Sequence, residues 1–343
     1  MARAPVGSGI YYHSRKTWLK EEVMWSRLPK RLSAVGLAGL LVVGLAAWPT
    51  AEDPPRFSDW SAPVNLGPTV NQPVNSDAGA FISKDGLSLF FGAYDRPDGY
   101  GQFDIYVVHR ESVDGPWGPP QNVGPYINTS ANEQTPALSI DGHVLYFASD
   151  RQTPEAQGSM DIYAARRHDK RDNLNWFAPE NLGSGVNSAA SDAGPAYFAD
   201  DATGAVMLSF GSNRPGGVGG LDIYTSLRLP DGTFGPAAIV PVVNTTFNDQ
   251  RPAIRRDGLE LIFDSTRTLG SVGGTDLWVA TRSSTDMPWS APVNLGAVVN
   301  TAAGDHRPSI SWDGTELYLH SFIEGGGDLF RCTRAKIRGR DKK

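Results

Sequence analysis

The chain has 343 residues, 20% charged and 40% hydrophobic, a balance that fits a folded globular protein and excludes a disordered one. Its formal net charge of −6 hides an acidic body: residues 52–333 carry 18 Lys/Arg against 34 Asp/Glu, while both ends are basic. Phosphate binding needs a basic face, so nucleic acid is excluded as the main partner; the single cysteine, Cys332, excludes an intramolecular disulfide and reads as a small buried apolar residue.

In chain order, a basic stretch from Ser26 to Leu32 precedes an uncharged apolar run, Ser33 to Trp48, and polarity returns from Pro49. That is the order of a secretory signal. The run has 16 residues, short of the ~20 that a spanning helix needs. Residues 1–51 are therefore read as an N-terminal extension holding a signal peptide, cleaved after Ala46, Ala47 or Ala51, or else an uncleaved membrane anchor at 33–48. Met24 is an alternative start. Residues 52–59 read as a linker, and either way the body is expected to be exported, periplasmic or extracellular.

The body is organised by Trp60–Gly67, WSAPVNLG, which returns letter for letter at Trp289–Gly296. Looser copies begin at Trp117, Trp176 and Phe234, so five copies recur at intervals of 57, 59, 58 and 55 residues. A fixed period of this size marks a repeat architecture. Each copy continues with an asparagine (Asn71, Asn128, Asn187, Asn244, Asn300) and an acid (Asp77, Glu133, Asp192, Asp249, Asp305). An Ala or Pro follows three residues on. A short strand then ends in an Asp-Gly turn, at 85–86, 141–142, 257–258 and 313–314, with a longer turn at 200–204 in the third copy. Asp-Gly between apolar runs signals a hairpin. The second strands read LSLFFGAY, HVLYFASD, AVMLSFGS, LELIFDST and TELYLHSF, β-branched and aromatic. A Gly-rich loop then leads to a third strand that opens on Asp104, Asp161, Asp222, Asp276 or Asp328.

With the next Trp stretch as fourth strand, the unit is a four-stranded antiparallel blade. The fold class predicted is all-β, a five-bladed β-propeller over 60–334. Strand 60–67 has no strand set before it and the last set has no Trp strand after it, so 60–67 is expected to join the last blade and close the ring, removing a free edge. Residues 335–343 are expected to be a solvated basic tail.

The motifs Asp249-Gln-Arg-Pro, Asp305-His-Arg-Pro, Ser149-Asp-Arg151, Ser212-Asn-Arg214 with Pro215-Gly-Gly, and Gly219-Gly-Leu-Asp-Ile-Tyr224 resemble the WD40-like (PD40) propeller repeat of TolB-like and OmpA-associated exported bacterial proteins. The resemblance spans 60–334 and implies an exported propeller of the cell envelope. The fifth copy departs from it, with Phe322-Ile-Glu-Gly-Gly-Gly in place of the Asp-Arg loop.

For chemistry, the repeated acids Asp77, Glu133, Asp192, Asp249 and Asp305 are expected near one mouth of the channel. Three readings stay open: turn capping or pairing with arginines such as Arg251 or Arg307; a ring that binds a cation or a basic partner; and acid–base work on a glycoside, which needs two carboxylates in opposed protonation states. The acids keep the symmetry of the repeat, as structural positions do. His306 is the one histidine placed near the channel. The Asp of each third strand is expected to hold its Gly-rich loop by bonds to backbone N–H. Arg96, Arg151, Arg214 and Arg267 are expected to pair with acids between blades, the repeat tryptophans to pack between blades, and Trp312 to be an exposed recognition residue. No phosphate loop, EF-hand, zincin or nucleophile-elbow motif occurs. The function this implies is a non-catalytic scaffold for an envelope protein or glycan ligand, monomeric and without cofactor. The alternatives are a carbohydrate-active enzyme with carboxylates at the channel mouth and a Ca²⁺-stabilised propeller.

Overall fold

The structure is a computed structural model that describes residues 56–337. The expected signal or anchor at 33–48, the first residues of the linker and most of the basic tail lie outside the described residues. The described chain is all-β, with one turn of 3-10 helix at Gly183–Gly185.

Five four-stranded antiparallel sheets form the blades. Blade 1 is Asp77–Ile82, Ser88–Tyr94, Phe103–His109 and Gln121–Asn122. Blade 2 is Glu133–Leu138, Val144–Ser149, Asp161–Arg166 and Glu180–Asn181. Blade 3 is Asp192–Ala199, Val206–Ser212, Asp222–Leu227 and Ala238–Ile239. Blade 4 is Asp249–Ile254, Glu260–Ser265, Asp276–Thr281 and Val293–Asn294. Blade 5 is Asp305–Ile310, Glu316–Ser321, Asp328–Thr333 and, from the other end of the chain, Val64–Asn65. Val64 stands opposite Arg331 and Asn65 opposite Phe330, so the first repeat strand completes the last blade. Outside it, Arg56–Phe57 pairs with Lys336–Ile337, a second tie between the ends that lies beyond the repeat pattern. Each fourth strand is only two residues long, because every copy carries a proline (Pro63, Pro120, Pro179, Pro236, Pro292) that has no N–H to donate.

The core is five clusters, one between each pair of neighbouring blades. Alternation along the second strand feeds two of them at once: Phe90 packs toward blade 2 with Leu145 and Phe147, while Leu89 and Phe91 pack toward Tyr318 and Leu329 of blade 5. The same division recurs with Tyr146 against Phe210 and Ile262 against Leu319, while blade 3 meets blade 4 through Ile223 of its third strand against Phe263. Full burial of one such side chain contributes ~1.5–3 kcal/mol.

Two polar devices repeat with the blades and explain the sequence motifs. Asn71 accepts from the Leu329 N–H at 2.9 Å and donates to its carbonyl at 3.0 Å, as a strand neighbour would. Asn128, Asn187, Asn244 and Asn300 do the same at Ile105, Ile162, Ile223 and Leu277. The tryptophans carry a stacked cation: Arg334 lies over Trp60, Arg110 over Trp117, Arg167 over Trp176 and Arg282 over Trp289, at 4.1–4.5 Å from the ring centres. Each of these arginines also donates Nε to the hairpin glycine carbonyl of its own blade, at 2.6–2.7 Å.

Candidate functional site

The five repeated acids are each the first residue of an innermost strand and are fully buried. Asp77 accepts from the Gln72 N–H and lies 2.8 Å from Arg96; Asp192 accepts from Ser188 and lies 2.6 Å from Arg214. Glu133 pairs with Arg151 and Asp249 with Arg267 in the same way. These arginines bond the acid of their own blade and the carbonyl of the loop entering it (Val70, Ile127, Val186, Val243), which corrects the expectation of a pair between blades. Arg251 and Arg307 are not the partners of these acids either. Asp305 is the exception of the set. Its loop has Ile323 where the other copies have arginine, and its Oδ1 has no hydrogen-bond partner among the described residues. Burial raises its pKa with no arginine to oppose the rise, whereas at Asp77 burial raises it against the pull of Arg96.

Two residues after each acid the inner strand bulges, and in four of the five blades the next residue is a proline (Pro136, Pro195, Pro252, Pro308) with no N–H for the ladder. The residue in the bulge is left-handed in all five blades: Gly79, Thr135, Gly194, Arg251 and Arg307, with φ of 65°, 52°, 67°, 50° and 52°. Glycine suits that conformation; two arginines held there are strained choices of the kind that gather at functional sites. The two glycines make room for them. A Cβ on Gly194 would stand 3.1 Å from the Arg251 side chain, and one on Gly79 would stand 3.4 Å from Arg307 Cδ. Both arginines line the central channel, a cavity of about 60 Å³ walled by the five inner strands.

Blades 4 and 5 also break the symmetry one position earlier. In the second strand the place facing the bulge is Gly92, Ala148, Gly211, Asp264 and His320. Asp264 stands opposite Gln250, and His320 opposite His306. Asp264 is fully buried, accepts from Arg251 Nη1 at 2.9 Å and from the Arg307 backbone N–H at 3.3 Å, and lies 3.8 Å from His306 Nδ1. Arg307 Nη2 donates to Gln134 Oε1 across the channel at 3.0 Å. His320 is buried beside Ser76 Oγ at 3.3 Å; burial first, and then the charge of Arg307, push its pKa down to about 2, so it is a neutral imidazole. His306, His320 and the exposed Phe322 form an aromatic cluster with centroids 4.7–5.8 Å apart.

Of the residues expected at the mouth, the structure therefore brings Arg251, Arg307 and His306 together and walls the five acids into the blades. Asp264, His320, Gln134 and Phe322 complete the group. Their signal is present in the aligned second strands, where a carboxylate and an imidazole replace Gly or Ala in two copies only.

The remaining candidates are structural. Asp104, Asp161, Asp222 and Asp276 accept from two N–H groups each of their Gly-rich loops. Trp312 is half-buried between Lys84 and Arg256, 4.2 and 4.6 Å away, at the hairpin end of the blades, away from the acids. Among the described residues no group of three or more His, Cys, Asp or Glu is arranged to hold a metal ion.

No protein-family model matches the chain, and no curated protein does. Solved structures share its fold. An α-L-arabinofuranosidase from Lactobacillus brevis superposes with a TM-score of 0.52 at 15% identity, over 81% of this chain and 95% of its own. An α-L-arabinofuranosidase from Podospora anserina in complex with cellotriose gives 0.53 at 12%, over 82% and 98%. An arabinanase from Bacillus subtilis gives 0.51 at 12%, over 80% and 97%. At such identity the likeness shows the fold. These neighbours correct the resemblance to WD40-like, TolB-type propellers: the repeat motifs encode blade-building contacts, and the ring they build matches glycoside hydrolases. The expectation of a non-catalytic scaffold is corrected with it. Its premise was that no asymmetric set exists, and Asp264, His306 and His320 are such a set.

Proposed function

We propose that the protein is a carbohydrate-active enzyme that processes a glycan at the channel mouth of blades 4 and 5. The observation that carries this reading is the break in five-fold symmetry at Asp264 and His320, with His306 packed beside both. In a repeat, five equivalent positions serve the blades; a buried carboxylate that appears in one copy and holds a channel arginine has another cause. The fold likeness to arabinofuranosidases and arabinanases, one in complex with cellotriose, supports a glycan as ligand.

The roles follow from exposure. The Asp264 carboxylate is closed off from solvent and held by Arg251, so it acts on its neighbour rather than on a ligand. His306 is partly exposed and lies against it. A carboxylate beside an imidazole orients the ring, which suits His306 to move a proton to or from a sugar oxygen. The neutral His320 and the flat face of Phe322 form the wall behind it. The basic and apolar segments of the N-terminus support export to where extracellular glycans are met.

The test is product formation. The purified chain would be incubated with arabino-, xylo- and uronic acid oligosaccharides, and products followed by chromatography. A turnover that falls at least ~100-fold in His306→Ala with an unchanged melting temperature is the expected result. Absence of turnover together with absence of any glycan-induced rise in melting temperature would sink the reading.

A further inference from the structure

The channel holds two guanidiniums and one carboxylate. Arg251 takes the Asp264 carboxylate with Nη1. Arg307 has no acid of its own: Nη2 donates to the neutral Gln134 amide, and the buried Nη1 has no partner among the described residues. An unpaired donor on a cation is costly to bury. Arg307 feels that cost, since burial and the like charge of Arg251 pull its pKa down to about 9, where it still keeps its proton at neutral pH. The same chain provides an arginine partner for four of its five ring carboxylates, so the missing counter-ion at Arg307 stands out against its own repeat.

Resting on the glycan reading above, we infer that Arg307 is completed by the carboxylate of an acidic sugar, a uronic acid residue, whose ring lies at the mouth beside His306 and Phe322. Size supports this. The cavity of about 60 Å³ has room for a few waters, each needing ~10–15 Å³ on that measure, and so for a carboxylate group. A carboxylate carried on the sugar's C5 reaches into it while the ring stays outside. Charge supports it, because the group that enters must offset a net positive channel wall. The donor set fits as well: Nη1, unpaired among the described residues, is a donor for a charge-assisted hydrogen bond to a carboxylate oxygen. Outside the cavity, Phe322, exposed where other copies carry an arginine loop, offers an aromatic face to the ring.

The experiment is calorimetric titration of the full chain with oligomers of galacturonic, glucuronic and mannuronic acid, each beside its carboxyl-reduced, neutral counterpart. One acidic oligomer is expected to bind at least ~10-fold tighter than its reduced form, a preference that Arg307→Gln removes. The comparison of acid with reduced sugar on the unmodified protein stands even where the variant fails to fold. Equal affinity for both forms, or an equal response to acetate alone, overturns the acidic-sugar inference. Turnover of a neutral arabino- or xylo-oligosaccharide with no binding of any uronide also overturns it, and leaves the enzyme reading in place.

Discussion

Asp249 and Asp305 occupy one position in two successive blades, both fully buried, and only Asp249 has a guanidinium beside it. Removing one partner of a buried ion pair leaves the other uncompensated, so Asp249→Asn is expected to cost ~3–5 kcal/mol. At Asp305 the same change removes a carboxylate that nothing neutralises, while an amide oxygen still accepts from the Thr301 N–H. Its expected cost is within ~1 kcal/mol. The pH dependence has a definite sign. The folded pKa of Asp305 is raised, so its contribution to stability is complete below the ordinary carboxylate value of 3.8 and is lost as pH rises through the folded value. Asp305→Asn therefore gains on the wild type as pH is raised from 4 to 7, which urea titrations at the two pH values would reveal. Equal costs for the two variants at pH 7 would show that the missing arginine has no energetic consequence. The substitution of Arg by Ile323 was legible in the sequence as a departure of the fifth copy. What it does to Asp305 was not, because in the other four copies the arginine lies 18–22 residues beyond its acid and only the folded blade brings them together.

At the scale of the element, the repeat motifs turn out to be fastenings. The Gly-rich loop of each blade presses on the loop entering the next. A Cβ on Gly101, Gly158 or Gly219 would fall 1.9 Å from the carbonyl oxygen of Ala131, Ala190 or Phe247. No side chain fits there, and backbone cannot step aside cheaply. Gly219→Ala is thus expected to lower stability by ~1–3 kcal/mol, whereas Gly216→Ala, with nothing within 4 Å but a φ of 92°, tests strain without a clash. A Gly219→Ala variant as stable as the wild type would remove close approach as the reason for the motif. Strand order and blade count were readable because the Asp-Gly turns, the Trp stretches and the paired asparagines recur in register. Asp264 and His320 escaped notice because they sit inside apolar strands at places that read as core. Set side by side, four of the five second strands put Gly92, Ala148, Asp264 and His320 in one column, and the third copy is shifted by one residue to Gly211.

The whole ring depends on a short segment from the wrong end of the chain. Val64 and Asn65 pair with Arg331 and Phe330, Ser61 N donates to Thr333 O at 2.8 Å, Leu66 N donates to Leu329 O at 3.0 Å, and Asn71 clasps Leu329 on both sides. Trp60 sits under Arg334 and packs with the core between blades 4 and 5. The outer ribbon at Arg56–Phe57 adds the stacking of Phe57 under Arg334 and Arg255. These two ties make different demands. A chain beginning at Ser58 loses the ribbon and both stacking contacts of Phe57, and is expected to melt within ~5 °C of the longer form. A chain beginning at Pro68 loses the fourth strand of blade 5, bares the edge at Asp328–Thr333 and uncovers the apolar seam that Trp60 fills. Its melting temperature is expected to fall by ~10 °C or more, with aggregation through the open edge. A synthetic peptide of residues 58–67 added to that truncated chain should restore part of the loss by mass action. Were the two truncations to melt together, blades 1 to 5 would hold the ring by their faces alone. The match between Trp60–Gly67 and Trp289–Gly296 would then reflect repeat ancestry rather than closure.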